Sequence, residues 1–301
     1  MSQNIISQIT EKYDKLSKGH KAIARFVIEN YDKAAYMNVE QLSQITGVSE
    51  ATVVRFSSEM GYEKYQKFQH AVWEYAKSKL TSVQRMDLTY ARLNTEDILT
   101  DVLNSDVDKI RTTLSTIDHE EFEKIVDTIC KAKHIYIVGL RSASYLAGLL
   151  GFYLNLVFDK VTVVSSISAS EIFEQLFRVG PEDVVIGISF PRYSKRTINA
   201  LRYAKSKGVT VIGITDGALS PIKVNADYSL LARSDAESFV DSLVAPLSVI
   251  NALIVALALK NKDEICKNFE LLEHIWHEYD VYDDSDDEDD VISFGTVEVT
   301  E

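Results

Sequence analysis

Five short apolar runs punctuate the middle of the chain: Ile135–Val138, Val161–Val164, Val184–Ile188, Thr210–Ile214 and Tyr228–Leu231. Runs of this length, rich in β-branched residues, read as strands, and the stretches between them carry helical periodicity. A strand without polar alternate positions must be covered on both faces, and a helical crossover makes neighbours parallel. The pattern predicts an α/β unit over 115–277 with a five-stranded parallel sheet flanked by helices. Ligands of such sheets bind beyond the carboxyl ends of the strands. Three loops lie there: Gly139-Leu-Arg-Ser-Ala-Ser144, Gly187 to Thr197, and Thr215-Asp-Gly217 ahead of Ser220-Pro221.

The second loop, Gly187-Ile-Ser-Phe-Pro-Arg-Tyr-Ser-Lys-Arg-Thr197, runs from an apolar strand into a helix expected from near Ser194 to about Lys207. Unpaired N–H groups and the macrodipole make such a helix start a place for an anion. Ser189, Ser194 and Thr197 add hydroxyls, and Arg192, Lys195 and Arg196 add charge. The same residues also fit a plain helix capped by Ser194 with a solvated basic first turn. Ser142 and Ser144 precede a further helix, expected from Ala143 to Val157, so two hydroxyl-rich loops favour a shared anion site over the plain cap. There is no G-x-x-x-x-G-K-[ST] sequence, and Gly139-x-Arg141 lacks the second glycine of a dinucleotide fingerprint.

Residues 1–80 read as all helix, without strand-like alternation or proline. Asn38 with Gln41 forms a capping box that opens a short helix through Val39, Leu42 and Ile45. Gly47 breaks it, Val48 packs the turn, and Ser49 caps a second helix from Glu50 to Met60. Two short helices about a glycine-centred turn predict a helix-turn-helix. Val53, Phe56 and Met60 share the core face of the second helix. Ser49, Ala51, Thr52, Arg55 and Ser58 lie at its start or on its other side, small, polar or basic, as a helix against base edges requires. Lys64 and Lys67, with Lys77 and Lys79, are candidates for phosphate contacts. The alternative is a helical bundle for protein contacts with Arg55 merely solvated.

Residues 81–114 form a polar linker and a connecting helix, and further helical periodicity runs from Asp97 to Ile117 and from Asp118 to Lys131. Residues 278–301 contain eleven acidic residues and no basic one, so the overall net charge of −13 leaves −2 for the rest. Residues 1–80 carry eleven Lys or Arg against nine Asp or Glu, so the acidic total does not exclude nucleic acid. The tail is expected to be disordered and solvated, and it can also compete with DNA for the basic N-terminal face. Cys130 and Cys266 share no metal-ligand spacing, which points to a reducing cytoplasm without a disulfide framework. The first residues, MSQNIISQITEKYDKL, lack the cationic start and apolar core expected of a signal peptide, and the longest apolar run, Val244 to Leu259, is short for a membrane span and interrupted by Pro246, Ser248 and Asn251.

The stretch VEQLSQITGVSEATVVRFSSEMGYEKYQKFQ, residues 39–69, resembles the helix-turn-helix of RpiR-type bacterial transcription regulators. Its most specific part is Val48 to Phe56, followed by Met60-Gly-Tyr and a Tyr-x-x-Phe at Tyr65 and Phe68. Residues 115–260 resemble the sugar isomerase (SIS) domain that follows it in that family. The resemblance implies a dimer that binds a palindromic double-stranded operator and responds to a phosphosugar effector. It places Ser142 at the serine of the first phosphate loop. Against the second motif, S-x-S-G-x-T-x-E-T, Ser189 and Thr197 are kept and Ser194 replaces the threonine. Pro191, Arg192 and Arg196 replace serine, glycine and glutamate. The expected effector set is Ser142, Ser144, Ser189, Arg192, Ser194 and Thr197, with no cofactor and no metal.

A sugar-phosphate isomerase is the enzyme alternative, and an interaction protein with an empty SIS fold is a third class. Isomerisation needs a base, commonly with a histidine for ring opening. None of the six histidines lies between 135 and 273, and His134 falls at the end of its strand away from the loops. Glu171, Glu174 and Glu237 are the acidic candidates for a base. The expectation is a sensor without a catalytic residue.

Overall fold

A computed structural model describes residues 5–79, 83, 97–164, 168–234 and 241–282. The polar linker after Lys79, the side chains of Lys77 and Lys79, Glu237 and the acidic run after Tyr282 lie outside this description.

Among the described residues, six α-helices make the N-terminal unit: α1 (Ile5–Lys12), α2 (Lys18–Glu29), α3 (Tyr31–Ala34), α4 (Val39–Thr46), α5 (Glu50–Glu59) and α6 (Tyr65–Lys79). The Asn38 side chain accepts from the Gln41 N–H at 2.8 Å, and Gln41 Oε1 accepts from the Asn38 N–H at 3.0 Å. This reciprocal cap contributes about 1 kcal/mol. Gly47 ends α4 at φ 68°, a left-handed conformation that glycine adopts without a Cβ penalty. Val53, Phe56 and Met60 are fully buried with Leu42 and Phe68. Phe56 meets Phe68 edge to face at 5.5 Å, which fixes α5 against α6. Ile45 departs from expectation: it is 53% exposed, because only the Leu42 side of this two-turn helix reaches the core.

The second unit begins with α7 (Ile98–Thr116) and α8 (His119–Cys130). Strands β1 (Ile135–Gly139), β2 (Val161–Val164), β3 (Val184–Ile188), β4 (Thr210–Thr215) and β5 (Tyr228–Leu231) follow. They pair in the order β2-β1-β3-β4-β5, all parallel. Between them run α9 (Ala143–Leu154), α10 (Ala169–Leu176), α11 (Lys195–Ser206) and α12 (Pro221–Val224), and then α13 (Val244–Lys260) and α14 (Lys262–Glu278).

Alternate strand residues feed two cores. Ile135, Ile137, Ile186 and Ile212 pack with α8, α9 and α13, while Tyr136, Val138, Val185 and Val211 pack with α10, α11 and α12. Gly187 lets α11 lie close to β3, since a Cβ there would stand 2.6 Å from Leu201 Cδ1. The chain turns in opposite directions after β1 and after β3. The crevice between those adjacent strands is therefore the topological switch point, where ligands of this strand order bind. No single helix among the described residues is long and apolar enough to cross a membrane.

Candidate functional sites: a base-reading helix and an anion crevice

On α5 the Ser49 hydroxyl caps the Thr52 N–H at 3.2 Å and meets Thr52 Oγ1 at 2.8 Å. Arg55 in turn donates to Thr52 Oγ1 at 3.4 Å. The three expected contact residues thus form a ladder along the helix start, which aims the guanidinium while leaving most of its donors outward. Ala51, Arg55 and Ser58 are exposed as expected, and Thr52 is half-buried. Val54, 44% exposed, joins the small, polar and basic residues expected on this side. A valine there suits a thymine methyl. Its signal was its place three residues after Ala51 and four before Ser58. Lys64 is exposed, and Lys67 pairs with Glu63 at 2.6 Å, so a phosphate contact by Lys67 competes with that pair.

At the crevice, Ser142 is exposed at the start of α9 and makes no side-chain cap. Its hydroxyl is free to serve a guest. Ser144 is spent on the loop itself, donating to the Arg141 carbonyl at 2.6 Å. Gly139 permits this tight entry, as a Cβ there would meet the Ala143 carbonyl oxygen at 2.6 Å.

The second loop is braced from within. Ser189, 5% exposed, accepts from the Ser194 N–H at 3.1 Å, and Ser194 Oγ accepts from the Thr197 N–H at 3.3 Å. Each hydroxyl thereby keeps its own proton to donate. Thr197, expected among the effector-binding hydroxyls, does not lie at the surface. It is fully buried in the first turn of α11, and its Oγ1 has no hydrogen-bond partner. Lys195 and Arg196 stand in that same turn, which itself contains no acidic residue. Cations at a helix N-terminus oppose the dipole by roughly 0.3–1 kcal/mol each, a cost that a bound anion offsets.

Arg192 and Arg141 both occupy the left-handed region, at φ 63° and 60°. Such a conformation costs a non-glycine residue about 1–2 kcal/mol, and it falls on the two loops that flank the switch point. Arg141 was not among the residues expected from the sequence. Nor were Tyr193 and Asp216: the Tyr193 hydroxyl donates to the nearly buried Asp216 carboxylate at 2.8 Å. The Thr215 hydroxyl donates to the Ser189 carbonyl at 2.8 Å and meets Ser220 Oγ at 2.7 Å. The third loop therefore acts as a backstop for the second. Only a tyrosine inside one loop and an acid ending the next strand hinted at this.

His134 lies at the amino end of β1, stacks on Tyr136 at 4.1 Å and bonds Thr162 Oγ1 at 2.9 Å. Burial lowers its pKa, which favours the neutral ring. It has no part in the crevice. Glu171 and Glu174 are exposed on α10.

Residues 3–79 match the model of the helix-turn-helix domain of the rpiR family, and residues 128–256 match that of the SIS domain. The chain belongs to the rpiR-family regulators that join these two domains. An uncharacterised helix-turn-helix-type transcriptional regulator of Caldanaerobacter subterraneus is 22% identical, over 89% of this chain and 95% of the relative. One from Haemophilus influenzae is 25% identical, over 88% and 93%. Among solved structures, the sugar isomerase domain of an RpiR transcription factor from Sphaerobacter thermophilus is 27% identical. It covers 59% of this chain and 99% of that one, with a TM-score of 0.57. The Vibrio vulnificus NanR protein, solved in complex with ManNAc-6P, is 22% identical over 90% of this chain and 99% of that one, also with a TM-score of 0.57.

Proposed function

We propose that this rpiR-family regulator reads an operator with α5 and adjusts its grip to a phosphorylated sugar held at the β1/β3 switch point. The observation that carries the effector reading is the orphaned Thr197 hydroxyl inside a helix start that holds cations and no acid. Ser142, Ser189 and Ser194 supply hydroxyl donors, the starts of α9 and α11 supply N–H dipoles, and Arg192 supplies charge. Ser144 shapes the first loop, and the Thr197 hydroxyl is left for the guest. The ManNAc-6P complex of the Vibrio vulnificus relative supports the same ligand class here.

The chemistry fits sensing rather than turnover. Among the described residues no histidine stands at the crevice, and Asp216 there is held by Tyr193. The protein acts as a cytoplasmic homodimer. An outward apolar stripe on α7, Leu99, Leu103, Val107, Ile110 and Leu114, supports a second copy as partner. Regulation is linkage: a ligand that favours one dimer arrangement changes how two copies of α5 meet two half-sites.

A thermal-shift screen of sugar phosphates on the full chain tests the effector reading. A rise in melting temperature that is absent from the Ser142→Ala/Ser189→Ala variant is expected, and a panel without any response removes the reading. Operator titration of Arg55→Ala tests α5. Specific affinity is expected to fall by about 1–3 kcal/mol more than non-specific affinity, and an equal fall of both makes Arg55 a phosphate contact.

A further inference from the structure

Helix α7 turns its polar side inward. Its two buried residues are Lys109 and Thr113, at 5% and 4% exposure, while the apolar stripe faces solvent. The inward side holds the chain on its way out of β5 and again on its way into α13. The Arg233 N–H donates to Thr113 Oγ1 at 3.0 Å, and Ser242 Oγ donates to Asp106 Oδ1 at 2.6 Å. Lys109 lies between these two fastenings, donating to Ser105 Oγ at 2.7 Å and standing 3.5 Å from Asp106 Oδ1. Asp106, Lys109 and Thr113 recur at spacings that put them on one side of a helix.

This fastening connects to the anion crevice through a short chain of hydrogen bonds. The Ala232 N–H donates to the Thr215 carbonyl at 2.8 Å, and Thr215 leads directly into Asp216, which Tyr193 of the second loop grips at 2.8 Å. In the other direction, the Arg233 guanidinium lies 5.2 Å from the ring centre of Trp73, within cation–π range. Trp73 belongs to α6, the helix whose Phe68 packs on Phe56 of α5. Arg233 thus has its backbone fastened to the sensing domain and its side chain on the DNA-reading domain.

We infer that Arg233, seated by the Asp106–Lys109–Thr113 side of α7, is the residue through which the crevice and α6 are coupled. This rests on the effector reading above. A guest that pulls on the Tyr193–Asp216 pair shifts Thr215 and Ala232, and with them the angle at which Arg233 meets Trp73. The contact then biases α6, and α5 through it, between two placements. Arg233 and Lys109 are positioning residues that touch neither DNA nor effector.

Trp73 and Trp276 are the two tryptophans of the chain, so Trp276→Phe leaves Trp73 as the sole reporter. In that background, Arg233→Leu and Thr113→Val are each expected to raise acrylamide quenching of Trp73. Lys109→Met is the harsher variant, since it leaves Asp106 without its cation, so Thr113→Val and the charge-preserving Arg233→Lys guard against simple unfolding. Unchanged quenching in both Thr113→Val and Lys109→Met overturns the seating role of α7.

The second measurement uses the sugar phosphates that raise the melting temperature, with ManNAc-6P and inorganic phosphate included in the panel. Coupling of roughly 5-fold or more between effector and operator affinity is expected to collapse toward unity in Arg233→Leu, with the thermal shift by the sugar phosphate retained. Full coupling in Arg233→Leu overturns the inference while leaving sensing intact. A panel with no thermal response instead defeats the effector reading, and with it the coupling that rests on that reading.

Discussion

Thr197→Val is the substitution on which the anion crevice stands or falls. Valine has the shape of threonine, so it replaces a buried oxygen with a methyl group and leaves the Ser194–Thr197 cap, which uses only the backbone N–H, in place. Thr197 is fully buried and its Oγ1 lacks a partner. An unsatisfied buried hydroxyl costs about 1–3 kcal/mol. Taking the low end, removal of that cost stabilises the protein by about 1 kcal/mol, a rise of roughly 2–4 °C in Tm for a domain of this size class. With effector, the sign reverses. A hydrogen bond to a charged group is worth about 1.5–3 kcal/mol, so affinity for the sugar phosphate falls by about tenfold or more. Scanning calorimetry of both proteins, with and without the ligand from the screen, reads both effects. A variant that is less stable than the parent and keeps its ligand affinity refutes the reasoning, because the hydroxyl would then be serving the fold alone.

Gly187→Ala is expected to destabilise by about 1–3 kcal/mol through overpacking against Leu201 and to weaken effector binding by displacing the start of α11, which titration of the variant checks. Burial pushes the Tyr65 phenol from 10.0 up to about 12, so the folded chain holds a proton that the unfolded chain loses. Stability is therefore present below pH 10 and declines as pH rises from 10 toward 12. Tyr65→Phe should flatten that decline while losing the 2.7 Å bond to the Met37 carbonyl, visible as a lower Tm at neutral pH. Deleting residues 279–301 is expected to leave Tm unchanged and tighten operator binding at low salt, and equal affinities at every salt concentration argue against any competition with DNA.

Much of this fold is legible because its signals are local. Asn38 with Gln41, Gly47 and Ser49 mark helix ends through hydrogen bonds between near neighbours, and β1 to β5 announce themselves by unbroken apolar runs. The candidate site was legible as far as its place at Ser142, Ser189 and Ser194, because the loop after a buried strand is a position any parallel sheet defines. What escaped depends on contacts distant in the chain. The Tyr193–Asp216 brace joins two loops. Thr197 becomes buried only when α11 settles on β3. The inward side of α7 was also hidden, since its apolar spacing reads the same whether that stripe meets its own domain or another surface. Val54 and Ile45 are exposed although apolar, because short helices expose part of every face.

The way Ser189 and Ser194 are used has a consequence for the proton inventory of the ligand. Both oxygens already accept from the loop's own amides, so what they offer outward is a proton each. Ser142 and the helix amides likewise give, and the arginines can only give. Such a crevice favours a guest rich in lone pairs. A phosphate monoester sheds its last proton near pH 6, and the affinity of this protein for its effector should climb as that proton leaves. The solution pH would then act on the regulator through the ligand's ionisation, without any titrating group of the protein taking part.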